Sequence, residues 1–183
     1  MSNPWDRPPG PQTGDPDIET TYAAVGLVMS RWEEVELELC YLYAAFKGQG
    51  DDISVLREYG SGAIFNARKA ILQSKAETYF RASPSQTNEG NFCRLITACE
   101  GFSARRNDIA HGVVRLTVFG GKDQPSLTQY ALGPSFYDPR RFAPGEPRMT
   151  EYFYSSVELK RLAEQFAALE DRVSTFRVAL FGH

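Results

Sequence analysis

The chain has 183 residues, of which 42% are apolar and 23% charged, and a formal net charge of −3. That length and balance suit one globular domain with a real core and exclude a wholly disordered protein. The small negative charge gives no sign of a nucleic-acid coat or a polybasic membrane binder, and leaves room only for a local basic patch. Cys40, Cys93 and Cys99 have no zinc-type spacing and read as free thiols, with Cys99 inside an apolar helical register. No basic segment precedes an apolar stretch at the N-terminus, and no apolar run reaches roughly eighteen residues. Neither secretion nor membrane spanning is expected, and a cytoplasmic location is.

Residues 1–16 hold Pro4, Pro8, Pro9, Pro11 and Pro16 together with Gly10 and Gly14, a composition that predicts a disordered Pro-rich tail. The remaining chain, 17–183, is predicted as one helical domain. Its first helix starts near Asp15 or Asp17, whose acidic groups suit a helix N-terminus, and runs to Lys47. Val25, Val28, Trp32, Val35, Leu39, Leu42 and Phe46 keep a three-four alternation, and Tyr22, Met29 and Tyr43 widen that face. Glu33, Glu34, Glu36 and Glu38 lack the Glu-x-x-His partner of a carboxylate metal centre, so they read as a solvated acidic face and no metal ligands are assigned.

A second helical stretch covers 53–80 and is interrupted at Gly60, Ser61 and Gly62. Ile64, Ala67, Ile71 and Leu72 are its candidate core residues, and Pro84 sets its limit. The third helix runs from Ser85 or Thr87 to His111, with Gly112 as its stop. Beyond it the apolar period changes to two: Val114, Leu116 and Val118 form one strand and 127–132 the returning strand of a hairpin. Residues 133–147 are loop-like, with Arg140 and Arg141 among Phe136, Tyr137 and Phe142, a mixture that can grip single-stranded nucleic acid or bind a protein. Tyr152 to Tyr154 suggest a further short strand. Ser155 and Glu158 make a capping box for the last helix, in which Leu159, Leu162, Phe166, Leu169, Val173, Phe176 and Leu180 again alternate by three and four. The fold class predicted from this order is all-α: an antiparallel four-helix bundle with a hairpin and Pro-rich loop, 113–154, inserted between its third and fourth helices.

One stretch departs from the pattern. Phe92, Leu95, Cys99, Phe102, Ile109 and Val113 keep the core phase of the third helix, but Arg106 occupies the slot between Phe102 and Ile109. A guanidinium there demands a partner, an anion or an interface. Asn107 and His111, the only internal histidine, lie four residues apart on one helical face beside it. A permanently charged fork next to a group that exchanges protons near neutral pH is suited to phosphoryl chemistry. The same residues also have a purely structural reading, as a helix C-terminus with basic groups at its negative end.

Arg106, Asn107 and His111, at the end of the third helix of a four-helix bundle, resemble the signature of the HEPN superfamily. Arg105 satisfies the spacing too, but Asn107 follows Arg106 directly. The resemblance covers the helices and not the 113–154 insertion. It implies a homodimer in which two copies of the third-helix motif meet, and a metal-independent endoribonuclease of a toxin or phage-defence system, with no cofactor. Arg106, Asn107 and His111 would be catalytic, RNA the substrate and an antitoxin protein a further partner. Arg105, Arg140 and Arg141 are the candidate RNA-binding residues. A non-catalytic dimeric interaction or nucleotide-binding module is the alternative within the same resemblance.

Overall fold

The structure is a computed structural model that describes residues 3–50, 52–120, 126–135, 137 and 152–182. It is mostly helical. Among the described residues five helices, α1 (Ile18–Lys47), α2 (Ile53–Gly60), α3 (Phe65–Ala82), α4 (Gln86–Ala110) and α5 (Ser156–Phe181), accompany a two-stranded antiparallel hairpin, β1 (Gly112–Phe119) and β2 (Leu127–Pro134). The interruption expected at Gly60–Gly62 separates α2 from α3 completely. Asp52 caps α2 by accepting from the Ser54 amide, and Ile64, expected in the core, is instead the exposed N-cap of α3. Among the described residues no helix is long and apolar enough to cross a membrane.

The chain divides into two compact units, one made of residues 1–31 and 104–165, the other of 32–103 and 166–183. In the second unit, four helical segments share an aromatic core. Phe46 of α1 meets Tyr79 and Phe80 of α3, Phe92 of α4 and Phe181 of α5, with ring centroids 5.3 to 5.8 Å apart. Trp32 sits edge-on to both Phe65 and Phe166, and Phe102 packs on Phe166. These large rings lie with the buried Leu39, Leu42, Leu72, Leu95 and Leu169, and the apolar area they remove from water favours folding.

The acidic face expected on α1 is only partly solvated. Glu36 is buried and accepts from Arg68 through both of its oxygens (2.6 and 3.0 Å), from the Tyr59 hydroxyl (3.1 Å) and from the Trp32 indole (3.3 Å). Glu38 pairs with Arg177 at 3.1 Å. A carboxylate can occupy a helix's inner face when every lone pair is taken up, which is why the apolar pattern alone misplaced Glu36.

In the first unit, the hairpin pairs Gly112 with Pro134 at one end and Phe119 with Leu127 at the other. The outer edge of β2 is partly closed: Asp15 bridges to Tyr130 and Tyr154 bridges to Leu132, each through two backbone hydrogen bonds of 2.8 to 2.9 Å. Pairing with β2 is thus supplied by one segment that precedes α1 and one that precedes α5. Gly14 makes the first bridge possible, since a Cβ there would lie 2.5 Å from the Tyr130 carbonyl oxygen.

Residues 3–16, predicted as a disordered tail, carry defined contacts in this unit. Gln165 donates to the Pro4 carbonyl (3.2 Å), and the Gly14 amide donates to Gln129 (3.1 Å). Asp15 is buried and accepts from the Thr21 hydroxyl (2.7 Å) and from both the amide and the hydroxyl of Ser156 (2.8 and 2.6 Å). The cap of α1 is Asp17, which accepts from the amide and hydroxyl of Thr20. The Ser155–Glu158 capping box forms as expected at the start of α5.

Candidate functional site

The last turns of α4 carry the residues singled out in the sequence, and each has a different environment. His111 is exposed, in a turn that follows the final helical residue, and its amide still donates to the Asn107 carbonyl at 3.2 Å. Among the described residues its imidazole has no hydrogen-bond partner. The Arg106 guanidinium is half-buried and donates to the Asn107 side-chain oxygen at 3.2 Å. Asn107 therefore orients the arginine, and no hydrogen bond joins it to the His111 side chain among the described residues.

The buried residue at this helix end is Asp108, fully excluded from water. Arg7 grips it with a two-pronged fork, Nε to Oδ2 at 3.0 Å and Nη2 to Oδ1 at 3.1 Å. Arg105 adds a contact at 3.3 Å from its Nη1, and the Tyr154 hydroxyl donates at 3.3 Å. Burial, followed by the neighbouring Asp108 carboxylate, raises the Tyr154 hydroxyl far above the usual phenol value, so it stays a donor at any ordinary pH. Tyr152 completes the surround: its hydroxyl donates to the Asp108 carbonyl at 3.0 Å and its ring stacks on that of Tyr154, while Arg7 lies over the Tyr152 face at 4.8 Å. A carboxylate with a bidentate guanidinium and further donors meets the conditions under which a buried charge is tolerable.

The end of α4 is sealed in a second way. The Ser135 hydroxyl donates to the His111 carbonyl at 2.9 Å, satisfying one of the terminal acceptors that every helix leaves open. Gly112 was expected to stop the helix, and Val113 to continue the core register. The helix ends at Ala110 and Gly112 opens β1, whereas Val113 is an exposed strand residue. Gly112 is needed for closeness: a Cβ there would sit 2.7 Å from Leu132 Cδ1 and 3.0 Å from the Asp108 carbonyl oxygen. Helix and hairpin meet too tightly at that point for any side chain.

The positions expected to bind RNA divide. Arg105 is turned toward Asp108, with only 13% of its side chain exposed, and so has a structural partner. Arg140 and Arg141 lie outside the described residues. Arg115, not singled out in the sequence, donates to the Pro134 carbonyl at 2.8 Å and lies over the Phe153 ring, and burial lowers its affinity for a proton. Arg7 and Ser135 went unnoticed and Tyr152 and Tyr154 were read only as strand residues, because no local sequence signal ties any of them to the end of α4. The nearest clue was Asp108 itself, an acidic residue in a segment that ends a helix and should favour cations. Among the described residues no group of three or more His, Cys, Asp or Glu side chains is placed to hold a metal ion.

No family model, curated protein or solved structure matches this chain.

Proposed function

We propose that the chain is a HEPN-like four-helix-bundle protein that acts as a dimeric, metal-independent endoribonuclease, with the ends of two α4 helices forming one composite site. The observation that carries this reading is the division of labour at that helix end. His111 faces solvent, Arg106 is held by Asn107, and the Asp108 carboxylate, which would repel an RNA backbone, is withdrawn into an ion pair with Arg7. The shared aromatic core of α1, α3, α4 and α5 supports the bundle part of the proposal.

In this reading His111 removes the proton of a ribose 2′-hydroxyl, whose oxygen attacks the adjacent phosphorus as the bond to the 5′-oxygen breaks. The leaving oxygen takes up a proton and the product carries a 2′,3′-cyclic phosphate. Arg106 stabilises the charge that gathers on the phosphoryl oxygens, and Asn107 keeps its guanidinium oriented. A toxin or phage-defence setting with an antitoxin partner follows from the family resemblance alone.

The test is cleavage of single-stranded RNA by the purified chain in the presence of a chelator, with the ends of the products analysed. His111→Ala should lower the rate by about 10²–10⁴-fold, the usual share of a general acid or base. Because His111 is exposed, that substitution should leave the unfolding transition in place. Undiminished cleavage by the variant would sink the assignment.

A further inference from the structure

We propose that Arg7 is a positioning residue for the end of α4, so that residues 3–16 are a working part of the candidate site. The contact is unusual in its reach. Arg7 and Asp108 lie 101 residues apart, and the arginine comes from a proline-rich stretch with no secondary structure of its own. The stretch is nevertheless fastened on both sides of Arg7, by Gln165 at Pro4 and by Gln129, Tyr130, Thr21 and Ser156 at Gly14 and Asp15. A fork delivered from an anchored segment loses less freedom on pairing than one on a free tail.

Asp108 shares the last turn of α4 with Asn107 and precedes His111 by three residues. Its backbone is engaged as well, since its carbonyl accepts from Tyr152. The Asp108 side chain and carbonyl together fix the rotation and pitch of the turn that carries the exposed imidazole. With the Arg7 fork gone, the buried carboxylate loses its two-pronged partner and keeps the Arg105 contact and the Tyr154 hydroxyl, and it lowers its free energy by turning toward water. Such a turn unwinds the helix end, displaces His111 from Arg106 and brings a negative charge to the surface that RNA would approach. Arg105 is no equivalent of the fork, because it reaches Asp108 from the same helix, three residues away, with its Nη1 at 3.3 Å.

The consequence for cleavage rests on the ribonuclease reading above; the positioning of the helix end does not, and it has its own readout. Amide hydrogen exchange is compared in the full chain for wild type, Arg7→Ala, Arg7→Lys, Asp108→Asn and the Arg7→Ala/Asp108→Asn pair. Arg7→Ala should speed exchange at 109–112 by at least about tenfold while leaving the α4 amides of 92–99 protected. Arg7→Lys, which keeps the charge and loses the fork, should fall between. In the Asp108→Asn background, Arg7→Ala should add less than about twofold, because the buried charge that needs the fork is gone.

A segment that merely ties down the N-terminus would give a different result. Exchange would rise within 3–16 alone, or the two substitutions would act independently, and either finding overturns the proposal. The His111 ring resonances supply a second signature and should shift in Arg7→Ala but not in a control at Gln12. In the RNA assay, kcat should drop by up to about a hundredfold with KM nearly constant, as expected for a misplaced group that has not been lost. A wild-type chain that leaves RNA intact refutes the ribonuclease reading only, and the exchange comparison still decides the role of Arg7.

Discussion

Each compact unit buries one carboxylate against a forked arginine, and the two pairs are built differently. Glu36 is met by Arg68, 32 residues away, together with Tyr59 and Trp32, all from helical segments of one unit. Asp108 is met by Arg7, Arg105 and Tyr154, of which only Arg105 is helical. Glu36 lies in the middle of α1, with intrahelical hydrogen bonds on either side of its turn and donors from the Trp32 and Tyr59 rings. Asp108 lies in a last turn, where fewer intrahelical hydrogen bonds oppose unwinding. The same chemistry therefore braces a core in one unit and sets the geometry of a helix end in the other.

The largest effect expected from this comparison follows loss of Arg68. Arg68→Ala strands a buried carboxylate that has no way to reach water without breaking α1, and should cost about 3–5 kcal/mol in urea unfolding. The same substitution at Arg7 should cost less, about 1–3 kcal/mol, because a helix end relaxes locally. Equal losses at the two sites would remove the distinction drawn between them. A smaller loss tests the caps: Ser155→Ala removes the hydroxyl that accepts from the Val157 amide and donates to Glu158, and should cost about 1 kcal/mol with no change at the end of α4.

The two carboxylates also mark the limit of what the amino-acid order discloses. Periodicity identified α1, α4 and α5 because Val28, Trp32, Val35, Leu39, Phe102, Leu162, Phe166 and Val173 repeat at helical spacing, and each is buried. The hairpin was legible from its alternation, and the start of α5 from Ser155 and Glu158, since both signals are local. Glu36 and Asp108 look like ordinary surface charges by the same criteria. Their partners are set by tertiary contacts across 32 and 101 residues, and no local rule encodes those. The Arg106 anomaly drew attention to the end of α4 but not to Asp108, the residue that is buried there. At 3–16 the prolines exclude helix, but they do not prevent a chain from lying against an edge strand that offers it backbone partners.

The smallest effect is spread over several groups and separates the units by pH. Burial pushes the Cys40 thiol up to about 11, with Glu36 adding to it, and pushes the Cys99 thiol up to about 12. Burial likewise raises the Tyr43 and Tyr59 hydroxyls, so all four groups favour the protonated form in the folded state. A folded value above the unfolded one stabilises the native state fully below the unfolded value, near 9 for a thiol, and that contribution drains away as pH rises toward the folded value. All four lie in the unit that contains Trp32, whereas Tyr154, likewise raised, belongs to the first unit. The chain has two tryptophans, and Trp5→Phe leaves Trp32 as the sole indole emitter. Its fluorescence should report a falling urea midpoint between pH 9 and 11, while exchange at 109–112 changes less over the same range. The opposite order would mean that the end of α4, and not the aromatic core, is the alkali-sensitive part, and that the Asp108 cluster depends on the Tyr154 proton more than on the Arg7 fork.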